Sequence, residues 1–259
     1  MAESDGVDIR ECTTVEEFDR CVRLQREAFG LPDLELSPRR HLIVARSAGG
    51  FTLGAFAGER LVGFVLNQLA ARREPGAGAE ETIGYSHMMA VAKDYQNRGV
   101  GARLKWAQRA RVLSEGRRFI RWTWDPAQSR NAHFNLNRLG VVVRSYAVNY
   151  YGTDYSTVTG RFAEPLGLDS DRLVAEWELD SPRVEALARG EAPGPAGEPA
   201  AAVTIPPDWS ALVAEDPAAA RAELLRIRGE FRSALGDGLV CAGFDREPSR
   251  PRYLFFREP

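Results

Sequence analysis

The stretch His87-Met-Met-Ala-Val-Ala-Lys-Asp-Tyr-Gln-Asn-Arg-Gly-Val-Gly-Ala-Arg-Leu104 decides the fold of this chain. Its first residues complete an apolar strand predicted over residues 83–91, and helical periodicity begins at Val100. Gln96-x-x-Gly99-x-Gly101 therefore lies between a strand and a helix. Such a turn aims backbone N–H groups at one point near the positive end of the helix dipole, and glycine lets an anion approach closely. The pattern predicts a pyrophosphate-binding site at residues 96–102, which we call the glycine turn.

Two better-known phosphate-binding motifs do not fit the glycine turn. A dinucleotide-binding turn needs a third glycine where Leu104 stands, and a Walker loop needs a Gly-Lys-Ser/Thr sequence that this stretch lacks. An ordinary strand-to-helix turn remains the alternative, because Gly-x-Gly alone is a common pattern.

The sequence before the glycine turn predicts one helix followed by three strands. Thr14-Val-Glu-Glu17 has the form of a capping box, and Gly30 is a typical helix stop. Strands are predicted at residues 51–57, 61–69 and 83–91. A short hairpin loop joins the first two strands, and residues 72–81 are predicted to form a solvated loop before the third.

The sequence after the glycine turn mixes strands and helices without regular alternation. Strands are predicted at residues 119–125, 141–143, 147–151, 173–179, 239–244 and 252–256. Helices are predicted from Val100, at about residues 129–139, and from Asp216-Pro217 to a stop at Gly236. Residues 190–200 form a Pro/Gly-rich tether. This irregular order predicts an α+β fold rather than a doubly wound sheet.

Composition and charge exclude several classes of function. The 259 residues are 44% hydrophobic and 27% charged, as is usual for a globular protein. The net charge of −2 argues against a protein that coats nucleic acid, because no excess of positive charge can neutralise phosphates. No apolar run approaches the ~20 residues of a membrane span, and the acidic N-terminus lacks the apolar region of a secretory signal. We therefore expect a cytoplasmic protein that binds neither nucleic acid nor membrane.

The cysteines and histidines do not form a metal-binding pattern. Cys12, Cys21 and Cys241 are widely spaced and odd in number, which favours neither a disulfide framework nor a CxxC site. The three histidines are also scattered along the chain. The sequence therefore predicts no metal.

The glycine turn and its flanks resemble the coenzyme-A-binding motif of the GNAT superfamily of acyltransferases. The resemblance rests on a strand ending in Ala90-Val91, on Tyr95, and on Gln96-x-x-Gly-x-Gly-x-x-Leu104. A second match follows in Asn131-Ala132 through Arg138-Leu-Gly140. The resemblance covers residues 8–155 and implies a mixed, splayed central sheet flanked by helices. Residues 156–259 are then expected to form a small C-terminal α+β extension, which either covers the acceptor site or makes a homodimer contact.

Three further segments resemble a less studied branch of predicted acetyltransferases. They are Trp122-Thr-Trp-Asp-Pro126, Asn131-Ala-His133 and Ser170-Asp-Arg-Leu173. Some members of that branch are linked to N-succinylation of amino acids. The resemblance therefore implies acetyl-CoA or succinyl-CoA as the acyl donor.

The resemblance also implies which residues bind the cofactor. The pantetheine arm is expected to pair with the backbone near Met89 and Val91, and a backbone N–H of the same strand stabilises the oxyanion. Where the family has an asparagine this chain has Ser129, so Asn131 or Asn135 is expected to take its place. The expected cofactor-binding residues are Met89, Ala90, Val91, Gln96, Asn97, Arg98, Gly99, Val100, Gly101, Ala102, Asn131 and Asn135.

Strand alternation selects the candidate catalytic residues. It predicts that Tyr85, His87 and Met89 share the face that meets the thioester. His87 is the candidate general base, with a structural histidine as the alternative, and Tyr85 could order a water instead.

The family also has a tyrosine that protonates the leaving thiolate, but Leu136 occupies its position here. Either the thiolate leaves without such a donor, or Tyr146, Tyr150 or Tyr151 replaces the family tyrosine, although packing roles are an alternative for each.

The sequence is compatible with three functions. The leading prediction is an N-acyltransferase that acts by direct attack of a primary amine of a small molecule, such as an amino acid. The alternative is a noncatalytic acyl-CoA-binding module or sensor, which the leucine at position 136 favours. Acetylation of a protein substrate is a third hypothesis.

Overall fold

The computed structural model describes residues 6–30, 33–73, 80–155, 165–195 and 197–257, and these fall into two units. Unit 1 ends at Arg121, and unit 2 begins at Trp122. A functional boundary after residue 155, between a catalytic core and an extension, remains a prediction.

Unit 1 is built on a sheet whose strands follow one another in chain order. They are β1 (Val7–Glu11), β2 (Phe51–Ala57), β3 (Arg60–Arg73), β4 (Glu80–Val91) and β5 (Phe119–Trp124), the last continuing into unit 2. Neighbours are antiparallel except β4 and β5, which are parallel and pair at Gly84–Ile120 and Tyr85–Arg121. Strand β4 then continues from Ser86 to Val91 beyond this pairing. The sheet is therefore mixed and splayed, as predicted.

The predicted strands before the glycine turn are confirmed, but β3 and β4 are longer than expected. The two ends of the predicted solvated loop extend the β3–β4 ladder instead. These residues are Arg72, Arg73, Glu80 and Glu81. Oppositely charged side chains face each other across this ladder, which stabilises the pairing. The rest of the predicted loop, residues 74–79, lies outside the described residues.

Three helices flank the sheet of unit 1. They are α1 (Val15–Phe29), α2 (Arg39–Ser47) and α3 (Val100–Ser114). Helix α3 covers one face, because a Cβ atom on Gly63 of β3 would lie 3.1 Å from Leu104 Cδ1. Helices α1 and α2 lie on the opposite face, where His41 of α2 bonds to Gln68 of β3.

The capping box predicted for α1 is present and should stabilise the fold measurably. Thr14 Oγ1 accepts from the Glu17 N–H, and Glu17 Oε2 accepts from the Thr13 and Thr14 N–H groups. We expect Thr14→Ala to lower the free energy of unfolding by about 1 kcal/mol, because one N-terminal N–H loses its acceptor. Urea denaturation measures the change. Thr13→Ala is the control, since it keeps the backbone bond to Glu17, and an equal loss in both variants would contradict the assignment.

Unit 2 contains the end of the large sheet and a small second sheet. The end of β5 is followed in the sheet by β7 (Arg172–Glu178) and β6 (Tyr146–Ala147), and the second sheet has the order β8 (Ala201–Thr204), β10 (Arg252–Arg257), β9 (Leu239–Asp245). The helices are α4 (Ser129–Ala132), α5 (Pro182–Ala188), α6 (Trp209–Glu215) and α7 (Pro217–Gly236), and α4 continues as a π-helix over His133–Arg138. The fold is α+β, as predicted.

Two strands predicted in unit 2 are wrong or shorter than expected. Residues 141–143 make only isolated bridges, one from Val142 to Glu176 and one from Val143 to Cys241. In the segment predicted as strand 147–151, only Ala147 is in β6, and a turn follows. The N–H groups of the turn donate to acceptors in the segment before β7, such as Asp171 Oδ1 for Asn149, so they do not need a strand partner.

Candidate active site

The glycine turn joins the end of β4 to the start of α3 through backbone that favours glycine. Gly99 is the N-cap of α3 with φ of 80°, and Asn97 also has a positive φ of 62°. Gly99 offers no capping side chain, and the first turn of the helix contains no acidic residue. The first N–H groups of α3 therefore have no side-chain acceptor among the described residues. Such donors at the positive end of a helix suit an anion.

Side chains around the glycine turn fix it and add positive charge. Gln96 Nε2 donates to the backbone carbonyl of Val91 over 3.1 Å, which ties the turn to the last residue of β4. The Arg98 guanidinium lies 5.3 Å from the centre of the Tyr95 ring. Asp94 pairs with Arg60, whose hydrogen bonds lower the pKa of the Asp94 carboxyl. The negative charge closest to the turn in sequence is thus paired with a cation.

A β-bulge at His87 changes which side chains share a face of β4. Ser86 is opposite Asn67 and Met88 is opposite Leu66, so His87 is the extra residue with no partner across the ladder. An extra residue reverses the alternation beyond it. The prediction that Met89 shares a face with Tyr85 and His87 is therefore wrong.

The side chain of Met89 lies instead on the face covered by α3. A Cβ atom on Gly101 would lie 3.5 Å from Met89 Cε and 3.8 Å from Val91 Cγ2. Tyr85, opposite Gln68, stays with His87 on the face of α1 and α2. The last residues of β4 thus contact the glycine turn. The side chain of His87, the candidate base, lies on the opposite face of the strand.

His87 is held in a partly buried group of polar side chains. Its Nε2 atom lies 3.3 Å from Ser37 Oγ, and its ring lies 5.0 Å from that of His41, edge to face. Burial, and secondarily His41, lower the pKa of His87 to about 4. The imidazole is therefore neutral at pH 7. Neither Ser37 nor His41 was predicted, because only the packing of α2 on the sheet brings them to His87.

In unit 2 the predicted site residues lie on α4 and its π-helical continuation. Asn131 is exposed on α4, whereas Asn135 is buried in the π-helix, and the carbonyl of Asn135 accepts from the Val141 N–H. Leu136, at the position of the family tyrosine, is fully buried. Asn137, which was not predicted, bonds to both the N–H and the carbonyl of Phe244 in β9. A π-helix is rare and is often found at functional sites.

Tyr146 belongs to a partly buried ionic cluster of unit 2. Its hydroxyl donates to Asp171 Oδ2 over 2.6 Å, and burial, followed by this bond, raises the pKa of the phenol. Arg228 binds both oxygens of Asp171 over 2.8 Å and also reaches Asp169. The hydroxyl of Tyr146 is therefore already engaged in a hydrogen bond to the Asp171 carboxylate. Tyr150 and Tyr151, the other two candidates, are about half exposed.

We expect Asp171→Ala to destabilise unit 2 strongly. Its side chain is fully buried, so the substitution leaves the guanidinium of Arg228 with one partner fewer in a poorly solvated place. Removing one partner of a buried ion pair costs about 3–5 kcal/mol. Asp245→Ala breaks the comparable but exposed pair with Arg252 and should cost roughly 0–1 kcal/mol. Chemical denaturation followed by Trp fluorescence compares them, and similar losses would show that burial of the Asp171 pair is unimportant.

The described residues contain neither a metal-binding group of side chains nor a helix that could span a membrane. Among the residues that the structure describes, no three His, Cys, Asp or Glu side chains are grouped so that they could hold a metal ion. The three cysteines are buried free thiols. No helix in the described part of the chain is long and apolar enough to cross a membrane.

Comparisons with known proteins agree with this architecture. Residues 16–140 match the family model of the Acetyltransferase (GNAT) family. No curated protein sequence matches the chain.

Solved structures match the fold at low sequence identity. One is a protein assigned to the GNAT acetyltransferases from Desulfovibrio desulfuricans, with a TM-score of 0.50 and 15% identity over 67% of this chain and 99% of that one. Another is the ribosomal-protein-S18-alanine N-acetyltransferase from Escherichia coli, with a TM-score of 0.51 and 12% identity over 68% and 95% of the two chains. At such identities the structures show a common fold. Residues 16–140 are thus similar to the GNAT acetyltransferase family, and the chain shares the fold of these solved structures.

Proposed function

We propose that the chain is an N-acyltransferase that moves an acetyl or succinyl group from coenzyme A to a primary amine of a small molecule. An amino acid or similar metabolite is the proposed acceptor, and the amine attacks the thioester directly. The observation that carries this proposal is the glycine turn at the start of α3, with Gly99 at φ of 80° and uncapped N–H groups behind it. That arrangement fits the pyrophosphate of coenzyme A.

The position of the glycine turn between β4 and α3 supports an assignment of the cofactor-binding residues. The pyrophosphate is assigned to Gln96–Ala102, where a Cβ atom on Gly99 would meet no atom of the surrounding protein within 4 Å. The pantetheine arm is assigned to the backbone of Met89, Ala90 and Val91, because β4 continues past its pairing with β5. Asn131 and Asn135 are proposed as further contacts. The bound thioester supplies the electrophile, and this chain supplies binding and proton transfer.

Proton removal from the amine depends on the acceptor. An α-amine with a pKa near ~8 costs about 1 kcal/mol to deprotonate at pH 7, whereas a lysine-like amine near ~10.4 costs about 4–5 kcal/mol. His87 is the proposed base because its imidazole is neutral, but a pKa of about 4 makes it a weak one by itself. This favours an acceptor of the first kind. Tyr85, on the same face of β4, is proposed to order a water.

The fate of the leaving thiolate favours a second candidate function. Leu136 cannot donate a proton, and the hydroxyl of Tyr146 already donates to Asp171. Tyr146 can protonate the thiolate only if its hydroxyl gives up the hydrogen bond to Asp171. If no side chain does so, either the thiolate leaves without that donor or the chain is a noncatalytic acyl-CoA-binding module. Release of free thiol with a panel of amines separates the two functions, since a module releases none.

Calorimetric titration with acetyl-, succinyl- and free coenzyme A tests the proposal. Binding of all three would support the assignment of the glycine turn, and tighter binding of one acyl form would identify the donor. Failure of all three to bind would remove the basis of both candidate functions. Acceptors are then compared in two classes, free amino acids and peptides with a free N-terminal amine.

The peptide class is included because the Escherichia coli relative is named for a ribosomal protein substrate. A succinyl donor with an amino acid acceptor would place the chain in the branch named above. Sedimentation of the protein tests whether it forms a homodimer.

A further inference from the structure

His87 is the end of a chain of hydrogen bonds that crosses from β4 to β3 through α2. Gln68 Nε2 lies 2.6 Å from His41 Nε2, His41 Nδ1 lies 3.1 Å from Ser37 Oγ, and Ser37 Oγ lies 3.3 Å from His87 Nε2. Every link is within hydrogen-bonding distance. Four side chains from three segments thus form one continuous path.

Ser37 is fixed at the centre of this path by Gln25 of α1. The Ser37 N–H donates to Gln25 Oε1 over 2.9 Å, and Gln25 Nε2 donates to the Ser37 carbonyl over 3.1 Å. Gln25 is 1% exposed and Ser37 is 8% exposed, so the clamp is shielded from water. The hydroxyl of Ser37 is therefore held between the two imidazoles rather than free to turn to solvent.

The orientation of the Gln68 amide sets the direction in which the path donates. In the structure the Gln68 NH2 group faces His41 Nε2, which leaves His41 with its proton on Nδ1, so Ser37 accepts from His41 and donates to His87 Nε2. His87 then carries its proton on Nδ1. If the carbonyl of Gln68 faces His41 instead, every bond reverses and His87 Nδ1 has a free lone pair. Only this second direction makes His87 a base at Nδ1.

We propose that Ser37 and His41 relay the proton that His87 removes from the acceptor amine when the Gln68 amide turns its carbonyl to His41, in place of the NH2 group that faces His41 in the structure. The amine N–H bond breaks as His87 Nδ1–H forms, and His87 Nε2–H passes to Ser37 Oγ. The original hydroxyl proton of Ser37 passes to His41 Nδ1. His41, now a cation that donates to Gln68 Oε1, loses a proton to water. The relay rests on the proposed function, and it explains how a weakly basic His87 can serve as the base.

Histidine NMR tests the relay without requiring turnover. The chain has three histidines, so 15N-histidine labelling of the wild type, His133→Asn and His41→Asn assigns the signal of each ring. In the wild type, titration of either ring should shift the nitrogen signals of the other. Ser37→Ala should uncouple them, and Gln68→Glu, which can only accept, should move the His87 proton to Nε2. Unchanged coupling in Ser37→Ala would overturn the relay even if no amine is acylated.

Kinetics tests the same relay in the active enzyme. Ser37→Ala and His41→Asn should each lower kcat about 10- to 100-fold, less than the roughly 10²- to 10⁴-fold of a complete general base. His41→Asn keeps a donor for Ser37 but cannot hold a second proton, so wild-type activity in this variant would overturn the relay. Ser37→Thr, which keeps a hydroxyl, should restore activity. Ser47→Ala, at the other end of α2, is the matched control.

Solvent isotope measurements distinguish a relay from a purely structural role. In mixtures of light and heavy water, kcat of the wild type should vary non-linearly with deuterium content, because several protons move together. The dependence should become linear in Ser37→Ala. A linear dependence in both proteins overturns the relay. Absence of turnover in the wild type, with the NMR coupling intact, would instead reject the proposed function and leave the hydrogen-bonded path in place.

Discussion

Gly99→Leu is expected to abolish measurable binding of acyl-coenzyme A while leaving the protein folded. The space around Gly99 is open in the protein, so the new side chain meets no protein atom at its Cβ, but it enters the place assigned to the pyrophosphate. Hydrogen bonds to a charged partner contribute about 1.5–3 kcal/mol each. Loss of two such bonds weakens binding by roughly 100-fold or more.

The chain contains a matched control for this substitution. Gly116, just after the other end of α3, has φ of 79° against 80° for Gly99, and its Cβ position is equally open. Gly116→Leu therefore carries the same backbone strain, about 1–2 kcal/mol, at the negative end of the same helix. Calorimetry with acetyl-coenzyme A compares the two. Similar affinities in both variants would show that the glycine turn does not hold the cofactor.

Elements were predictable where a local pattern determines them. The capping box before α1, the N-cap Asp216 of α7 and the hairpin between β2 and β3 all have side chains or spacings that specify the backbone. Helix α2 and strand β1 have no such pattern. Helix α2 begins at Arg39 after Pro38, an N-cap residue without a side-chain hydrogen bond, and β1 is a short edge strand in which three of five residues are charged. Packing, not local propensity, stabilises both.

The candidate site was predictable only in part, for a related reason. The glycine turn could be located because its glycines stand at fixed spacing between a strand and a helix. The bulge at His87 has no sequence pattern, and it moved Met89 to the opposite face. The contact of His87 with His41 and Ser37 joins residues about fifty positions apart, and it depends on where α2 packs. Strand parity alone therefore selected His87 as the candidate base but did not predict its surroundings.

His87 should control the chemistry without contributing to cofactor binding. We expect His87→Gln to lower kcat/KM for an α-amine by roughly 10²- to 10⁴-fold, because glutamine can accept from Ser37 but cannot take up the amine's proton. The dissociation constant for acetyl-coenzyme A should not change, since the side chain of His87 lies on the face of β4 opposite to the one that contacts the glycine turn. His87→Ala should recover activity when imidazole is added to the assay.

The pH dependence of the same variant provides an independent check on the state of His87. Its pKa of about 4 lies below the ordinary 6.5, so between these values the unfolded chain binds the proton that the folded chain does not. Stability should therefore fall as the pH drops from 6.5 towards 4, and His87→Gln should make this fall shallower. His133→Gln, in unit 2, is the control for activity. Full activity in His87→Gln, or an imidazole that titrates near pH 6.5, would reject His87 as a buried neutral base and leave Tyr85 with an ordered water as the remaining route for the proton.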